Sequence, residues 1–482
     1  LRIPNQSIPV REYFRHFLQS ALYFSRSGIL YLWYECSKSR RFIQNRKRTP
    51  QKPQADAGRM RLVLRRRASL FLRARKRQAI PTLGQSDASF ANAGSQNTNS
   101  GKRGKLMKIL YLISETNISG SILSFLTLVD FVKQKGDTPF VIIPNNNINF
   151  VNFLKSQNIP FFTIPLIFHC YPSKKCGHWA KRFLLTCFML FREFQNIRRL
   201  NKVIKDIKPD IIHTNVGPLT TGHYAAKKNG IPHIWHIREY GDLDFDLKIF
   251  PSKQYFHKLL NQDFVISITK KLFEYNKLKT NSNAFVIYNG VRGKDDIHYV
   301  FPKAKYFLCA SRISPEKGHP DIIIAFSKFH KNHPEYKLVI LGDGNHNYIE
   351  TLKRLANEHN CSDAIIFKGF VSNVSDYMQK ATALLVGSHF EGFGRMTAEA
   401  CFDGCIVIGK NSGGTQEILS QTGGFLYNTP NELLHFMEKT ATFSAETYHS
   451  IAKKAQETAQ EIFSVEGYTK KIYSIYTRVL KT

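Results

Sequence analysis

Acidic side chains are scarce in this chain: 36 Asp and Glu stand against 69 Lys and Arg, a formal net charge of +33. A charge that large excludes electrostatic indifference. It calls for an anionic partner, whether a nucleic acid, a phosphorylated substrate or an anionic membrane face. Long apolar runs are missing too: no stretch of 18 or more apolar residues is free of charge, so no membrane-spanning helix is expected. Cysteine is present (Cys36, Cys170, Cys176, Cys187, Cys309, Cys361, Cys401 and Cys405) but in no spacing that implies a disulfide framework or a zinc site. Several lie inside apolar runs such as Phe307-Leu308-Cys309-Ala310, and they read as buried free thiols in a reducing compartment. With no secretory signal ahead of the globular part, the expected location is the cytoplasm. His169-Cys170 with Cys176-Gly177-His178 comes nearest to a metal cluster, and its spacing matches no zinc pattern.

The charge is unevenly spread. Residues 1–106 hold 23 basic and 4 acidic residues, and their bases are 17 Arg and 6 Lys; after position 106 the bases are 10 Arg and 36 Lys. The chain opens on Leu1, whereas Met107 opens a clean strand pattern. Residues 1–106 are therefore expected to be a disordered basic extension, a mis-assigned start or an upstream fragment. An Arg-rich, acid-poor leader also fits a transit peptide. Residues 81–106, rich in Ser, Asn, Gly and Gln, read as a linker.

From Lys108 the pattern becomes regular. Apolar, β-forming runs at 108–113, 139–143, 159–164, 210–214, 233–237 and 264–268 alternate with helical periodicity, as in residues 122–135 before Gly136. A second series follows the break near Asn289-Gly290-Val291. Its strands are expected at 306–310, 337–341, 364–368, 383–386 and 405–408, and its helices at 321–330, 348–358, 396–402 and 432–440. Alternation of this kind describes an α/β chain with two Rossmann-like doubly wound domains and a cleft between them. The expected divisions are 107–290 on the acceptor side, 300–465 on the nucleotide-sugar side, and 466–482 as a C-terminal helix packing back on the first domain.

Chemistry concentrates in Gly387-Ser388-His389-Phe390-Glu391-Gly392-Phe393-Gly394-Arg395-Met396-Thr397-Ala398-Glu399-Ala400. A buried strand ends at Val386, a glycine-rich turn carries Glu391, and a helix starts near Gly394 with Glu399 in its early part. Gly392 and Gly394 permit a tight turn and close ligand approach. The N–H groups at the helix start suit a phosphate, and a carboxylate suits a vicinal diol.

Glu391 and Glu399, set in Glu-Gly-Phe-Gly-x-x-x-x-Glu-Ala, resemble the signature of family 4 glycosyltransferases, retaining enzymes of the GT-B fold. Ser311-Arg312-Ile313-Ser314-Pro315-Glu316-Lys317-Gly318 is similar to their donor-phosphate motif. Leu341-Gly342-Asp343-Gly344, Phe367-Lys368-Gly369-Phe370 and Gly413-Gly414-Thr415-Gln416-Glu417 also match in type and order. Five motifs in order, over about residues 107–480, make a specific signal. The resemblance implies that Arg312 and Lys317 hold the diphosphate of a UDP- or GDP-sugar, Glu391 contacts the transferred sugar and Glu399 the ribose. It implies further that backbone N–H groups at Gly413, Gly414 and Thr415 reach the donor. Retention of configuration is implied in the same way, and no metal-binding Asp-x-Asp is apparent, which fits a metal-independent transferase. The acceptor would be a glycan or a lipid-linked molecule in cell-surface polysaccharide synthesis.

The first half matches less closely. The diphosphate loop after the first strand reads Asn117-Ile118-Ser119-Gly120-Ser121, with Gly120 and one serine where two glycines are usual. By resemblance His236 faces the reacting sugar, where it could bond a hydroxyl or move a proton; a packed core histidine is the alternative. His213 and Asn215 could line the same cleft, and Arg238 and Glu239 could pair or touch substrate. Residues 174–205 are basic and aromatic, which suits either an anionic membrane face or a core helix with a solvated side. An epimerase or phosphorylase on the same fold, and a nucleic-acid-binding protein built on residues 1–106, are the competing readings.

Overall fold

The structure, a computed structural model, describes residues 106–481 apart from 118, 173–178 and 246, and leaves out the side chains of 172, 179–182, 244 and 245. The extension expected at 1–106 therefore lies outside the described residues up to Leu106. So do Cys36, Cys176 and His178.

Two parallel sheets organise the chain. The first has the order β3-β2-β1-β5-β6-β8-β9. Its strands are β1 (Lys108–Leu112), β2 (Thr138–Ile143), β3 (Phe161–Thr163), β5 (Ile211–Thr214), β6 (His233–Ile237), β8 (Phe264–Ser267) and β9 (Ala284–Val286). The second has the order β12-β11-β10-β13-β14-β15. It comprises β10 (Ala304–Ala310), β11 (Lys337–Leu341), β12 (Ile365–Gly369), β13 (Ala381–Val386), β14 (Val407–Lys410) and β15 (Phe425–Tyr427). A short antiparallel pair, β4 (Cys170–Pro172) and β7 (Leu247–Ile249), stands apart. Central strands such as β13 are buried along their whole length, as a parallel sheet covered on both faces requires.

The helices that matter here are α1 (Gly120–Gln134), α2 (Trp179–Ile207), α3 (Lys270–Tyr275), α4 (His319–Asn332), α5 (Arg395–Phe402), α6 (Gly413–Thr422), α7 (Ala445–Ile462) and α8 (Val465–Val479). Strand order reverses between β1 and β5 in one sheet and between β10 and β13 in the other. Loops at the carboxyl ends of these strands converge on one cleft, where ligands of such sheets bind. This is the GT-B architecture.

Three features differ from the expected pattern. β9, β15 and the β4–β7 pair have only three residues each, too short for a period to show. The strand expected at 405–408 begins at Val407, because Cys405 and the positive-φ Gly404 still belong to the turn that closes α5. Cys309, Cys361, Cys401 and Cys405 are buried as expected, but Cys187 is exposed on α2 and Cys170 is half-buried at the edge pair.

The two halves are tied beneath the cleft. Tyr240, Ile268, Leu272 and Val291 pack against Phe393, Phe402, Ile418 and Phe463. The Glu417 carboxylate, on α6, accepts from the backbone N–H groups of Lys270 and Lys271 at 2.7 and 3.1 Å and from Tyr288 OH at 2.7 Å. A carboxylate on the first N–H groups of α3 is a helix cap supplied from the other half. α8 returns to the first sheet, where Tyr468, Ile472, Ile475, Tyr476 and Val479 enter the core around β1. Its aliphatic members, Ile472, Ile475 and Val479, each contribute about 1.5–3 kcal/mol on burial. Among the described residues, no helix is long and apolar enough to cross a membrane.

Candidate active site

The β13–α5 loop carries the centre of the site. Gly394 ends it with φ +91° as the cap of α5, a conformation that favours glycine. Glu391 Oε1 lies 2.6 Å from Lys317 Nζ, so the loops after β13 and β10 meet in an ion pair. Three glycines allow the fit. A Cβ on Gly318 would lie 2.0 Å from the Gly387 carbonyl oxygen; on Gly413, 2.6 Å from that of Glu391; on Gly414, 2.0 Å from that of Phe393. The Gly414 N–H donates to the Glu391 carbonyl at 2.7 Å, and Ser412 Oγ donates to that of Ser388 at 2.9 Å. This changes what was expected of the Gly413-Gly414 turn: the Gly414 N–H is spent on holding the Glu391 loop. Thr415 is fully buried, and its Oγ1 has no hydrogen-bond partner.

The other two cations that line the cleft from this half, Arg312 and Arg395, are paired as well. Exposed Arg312 bonds Glu316 at 2.8 Å. Burial pushes the Glu316 carboxyl up, but the Ser314 hydroxyl, its own backbone N–H and Arg312 outweigh that and leave it below its ordinary value. Glu399 is buried one turn above Arg395, 2.7 Å from its Nε. Arg395 also reaches across the cleft to Ser124 Oγ and to the Val291 carbonyl, each at 3.2 Å. Sequence reasoning missed Arg395, although it sits four residues before Glu399, the spacing of helical neighbours.

From the first half, Gly120 and Ser121 open α1 at the cleft wall, and a Cβ on Gly120 would meet Arg395 Cδ at 3.3 Å. Ser119 caps α1 and donates to Glu115, a structural use for the serine that replaces a glycine. The cleft, about 740 Å³ with its open mouth, is lined by Gly120, Ser121, Arg238, Glu239, Ile268, Asn289, Arg312, Glu316, Lys317 and Phe390 to Arg395.

His236 is absent from that lining. It is fully buried below Arg238, and its Nδ1 accepts from Arg238 Nη2 at 3.4 Å and faces His213 Nε2 at 3.2 Å. Burial, and then the Arg238 charge, hold both histidines well below their ordinary range, so both are neutral. His213 and Asn215 are buried too. The expectation that His236 faces the cleft is thus corrected: it shares a strand face with Arg238 but lies one step deeper, beneath the arginine, and residues 238 and 239, just past the strand end, line the cleft.

Among the described residues, His223, His233 and Asp263 are near enough to hold a metal ion. Asp263 Oδ2 is already taken by His223 Nδ1 at 2.7 Å, His233 Nδ1 at 2.6 Å and Trp235 Nε1 at 2.8 Å. The group lies at the amino ends of β6 and β8, away from the cleft. His169 bonds Thr220 and lies 3.7 Å from Glu193. An Asp-x-Asp spacing, expected to be absent, does occur at Asp242-Leu243-Asp244; Asp242 bonds Tyr275 and pairs with Lys253 at 3.5 Å.

Comparison with known proteins agrees with this geometry. Residues 294–458 match the family described as glycosyl transferases group 1. The chain is 28% identical over 208 residues to poly(glycerol-phosphate) alpha-glucosyltransferase of Bacillus subtilis, spanning 42% of this chain but only 30% of that protein. It is 24% identical over 380 residues to alpha-monoglucosyldiacylglycerol synthase of Streptococcus pneumoniae, spanning 74% of this chain and 82% of the relative. In fold it is similar to HepE of Anabaena, solved in complex with UDP-glucose, at TM-score 0.61 and 19% identity over 77% of this chain and all of that one. Residues 294–458 thus match the group 1 glycosyl transferases, and the two sheets facing one cleft give the chain the GT-B fold.

Proposed function

We propose that the cleft transfers a sugar from a UDP- or GDP-sugar to a glycan or lipid-linked acceptor, with retention of configuration and without a metal. The observation that carries this reading is the Lys317–Glu391 pair at the meeting of the β10 and β13 loops. In the reaction the bond from the sugar's anomeric carbon to the diphosphate oxygen breaks. The acceptor oxygen bonds to the same face of that carbon, and the leaving phosphate takes the acceptor's proton. Negative charge grows on the diphosphate, where Lys317 and Arg312 stand, and each preorganised donor lowers the barrier by about 3 kcal/mol. The donor must displace Glu391 from Lys317 and Glu316 from Arg312, which frees Glu391 to hold the sugar. Glu399, anchored by Arg395, is assigned to the ribose; Gly120 lies on the wall at the diphosphate, while Gly413 and Thr415 are buried behind the Glu391 loop and position it. His236 is assigned a positioning role beneath Arg238. The relatives that act on glycerol phosphate polymers and diacylglycerol favour an acceptor of the cell envelope.

Helix α2 supports contact with an anionic membrane face. Phe183, Leu184, Phe188, Phe191 and Phe194 are 43–67% exposed on it, and Arg192 and Arg198 lie over the Phe188 and Phe194 rings at 5.9 and 5.0 Å. Its opposite side is buried through Leu200 and Ile204. Aromatic residues with bases beside them suit the boundary between headgroups and acyl chains, and would hold the enzyme peripherally at the inner face of the plasma membrane. Lys174, Lys175, Trp179, Lys181 and Arg182 of the same basic stretch lie outside the described side chains.

The test of the reaction is Glu391→Ala: transfer should be lost while the nucleoside diphosphate still binds. Full transfer in that variant would overturn the assignment, and conversion of the donor to its epimer without an acceptor would favour the epimerase reading.

A further inference from the structure

Every cation that the second half brings to the cleft already has a carboxylate: Lys317 has Glu391, Arg312 has Glu316 and Arg395 has Glu399. Arg238, from the first half, differs. It is 5% exposed, yet its hydrogen bonds go to neutral atoms alone. Nε and Nη2 donate to Asn215 Oδ1 at 3.0 and 2.9 Å, Nη1 to Asn289 Oδ1 at 2.6 Å, and Nη2 to Tyr468 OH at 3.1 Å and His236 Nδ1 at 3.4 Å. Glu239 lines the same cleft, but none of these bonds reaches it.

A buried guanidinium without a counter-ion is costly, and a fold keeps one only where something offsets the charge. Burial and Arg238 hold the His213 and His236 pKa values well below the ordinary range, so these neighbours add hydrogen-bond acceptors but no counter-charge. The cleft floor adjoins the reacting centre: a Cβ on Gly392, beside Glu391, would come 2.5 Å from the Arg238 carbonyl oxygen. Tyr468 belongs to α8, so the returning C-terminal helix helps to hold the arginine in place. Tyr476 of the same helix bonds His213 Nδ1 at 2.6 Å.

We propose that Arg238 is a binding residue for a phosphate oxyanion, the uncompensated charge that the first half offers to the substrate. This rests on the reading of the cleft as a nucleotide-sugar site. Two sources share this chemistry: the diphosphate of the donor and a phosphate carried by the acceptor. A bound oxyanion supplies the counter-charge that Arg238 lacks, and Asn215, Asn289 and Tyr468 keep the guanidinium plane aimed while the site is empty.

Calorimetric titration of the full chain and of Arg238→Gln tests this, with inorganic phosphate, inorganic pyrophosphate, UDP, GDP, uridine and guanosine as probes. If the oxyanion is the donor's, Arg238→Gln binds pyrophosphate and the preferred nucleoside diphosphate about tenfold more weakly, while the matching nucleoside binds as in the parent. If it is the acceptor's, nucleoside diphosphate affinity is unchanged, and inorganic phosphate binds the diphosphate-saturated parent but not the variant. A parent that binds pyrophosphate but neither UDP nor GDP would remove the nucleotide-sugar reading and leave the Arg238 assignment standing on pyrophosphate alone. Equal affinities for all anionic probes in parent and variant would overturn the proposal, as would equal losses for nucleoside and nucleoside diphosphate, the mark of a merely structural role. Tyr468→Phe, which keeps the charge and removes one prop, should weaken the same anion by two- to threefold; no change there together with no change in Arg238→Gln overturns it twice over.

Discussion

The two walls of the cleft use charge in opposite ways. The second half brings Arg312, Lys317 and Arg395 to the cleft, each in an ion pair with a carboxylate. The first half buries one arginine among amides, a tyrosine and two neutral histidines. A paired cation is inexpensive to keep and is exposed only when ligand competes for it; an unpaired one is costly to keep and is ready beforehand. The difference makes the donor wall adaptable and the floor preset.

Changes to the glycine seams should break this contrast most severely. Gly414→Ala would set a methyl 2.0 Å from the Phe393 carbonyl oxygen, backbone against backbone. The Glu391 loop must then move, and a loss of about 3 kcal/mol or more is expected with transfer abolished, read as a fall in Tm and in kcat. Gly392→Ala has its clash across the cleft, against Arg238. The halves can part to relieve it, so a smaller fall in Tm is expected with at least a tenfold loss of kcat. Equal effects of the two substitutions on Tm would mean that the seam between halves is as rigid as the loop within one.

Glu417→Gln probes the tie rather than the walls. It removes the charge that caps α3 and bonds Tyr288, and about 1–2 kcal/mol of stability should go with it, measured by denaturant unfolding. The smallest effect concerns pH. Burial first, then Arg238, holds the His213 and His236 pKa values below the ordinary ~6.5 of an exposed histidine. The unfolded chain therefore takes up protons first. Stability from these groups is complete above that value and is lost as pH falls below it, by at most about 1.4 kcal/mol per pH unit for each histidine. A Tm that falls from pH 7 to pH 5, with a shallower slope in His236→Gln, is the expected outcome.

The second half was far more legible in the sequence than the first. Its site is built from contiguous motifs: Arg312 and Lys317 flank one turn, Glu391 and Glu399 one strand–turn–helix, and Gly413 and Gly414 the next turn. Spacing along the chain there translates almost directly into place in the fold. The floor of the first half is assembled from residues far apart in sequence: Asn215, Arg238, Asn289 and Tyr468. No local period announces such a group. His236 drew attention because histidine has obvious chemistry, yet it lies on the same strand face as Arg238 and one step deeper, so the arginine covers it. The Gly413-Gly414 turn was recognised for its type while its use was not, because a glycine kept for close packing and one kept for ligand approach look alike in sequence.

We propose that this cleft holds a nucleotide-diphosphate sugar between the Lys317–Glu391 pair and the opposite wall. The most direct measurement is thermal unfolding of the full chain with a panel of UDP- and GDP-sugars, beside Lys317→Met. A site of this kind should raise Tm for one nucleotide series in the parent, with most of that rise lost in the variant. Identical curves with and without every nucleotide sugar, or an undiminished rise in Lys317→Met, would contradict it.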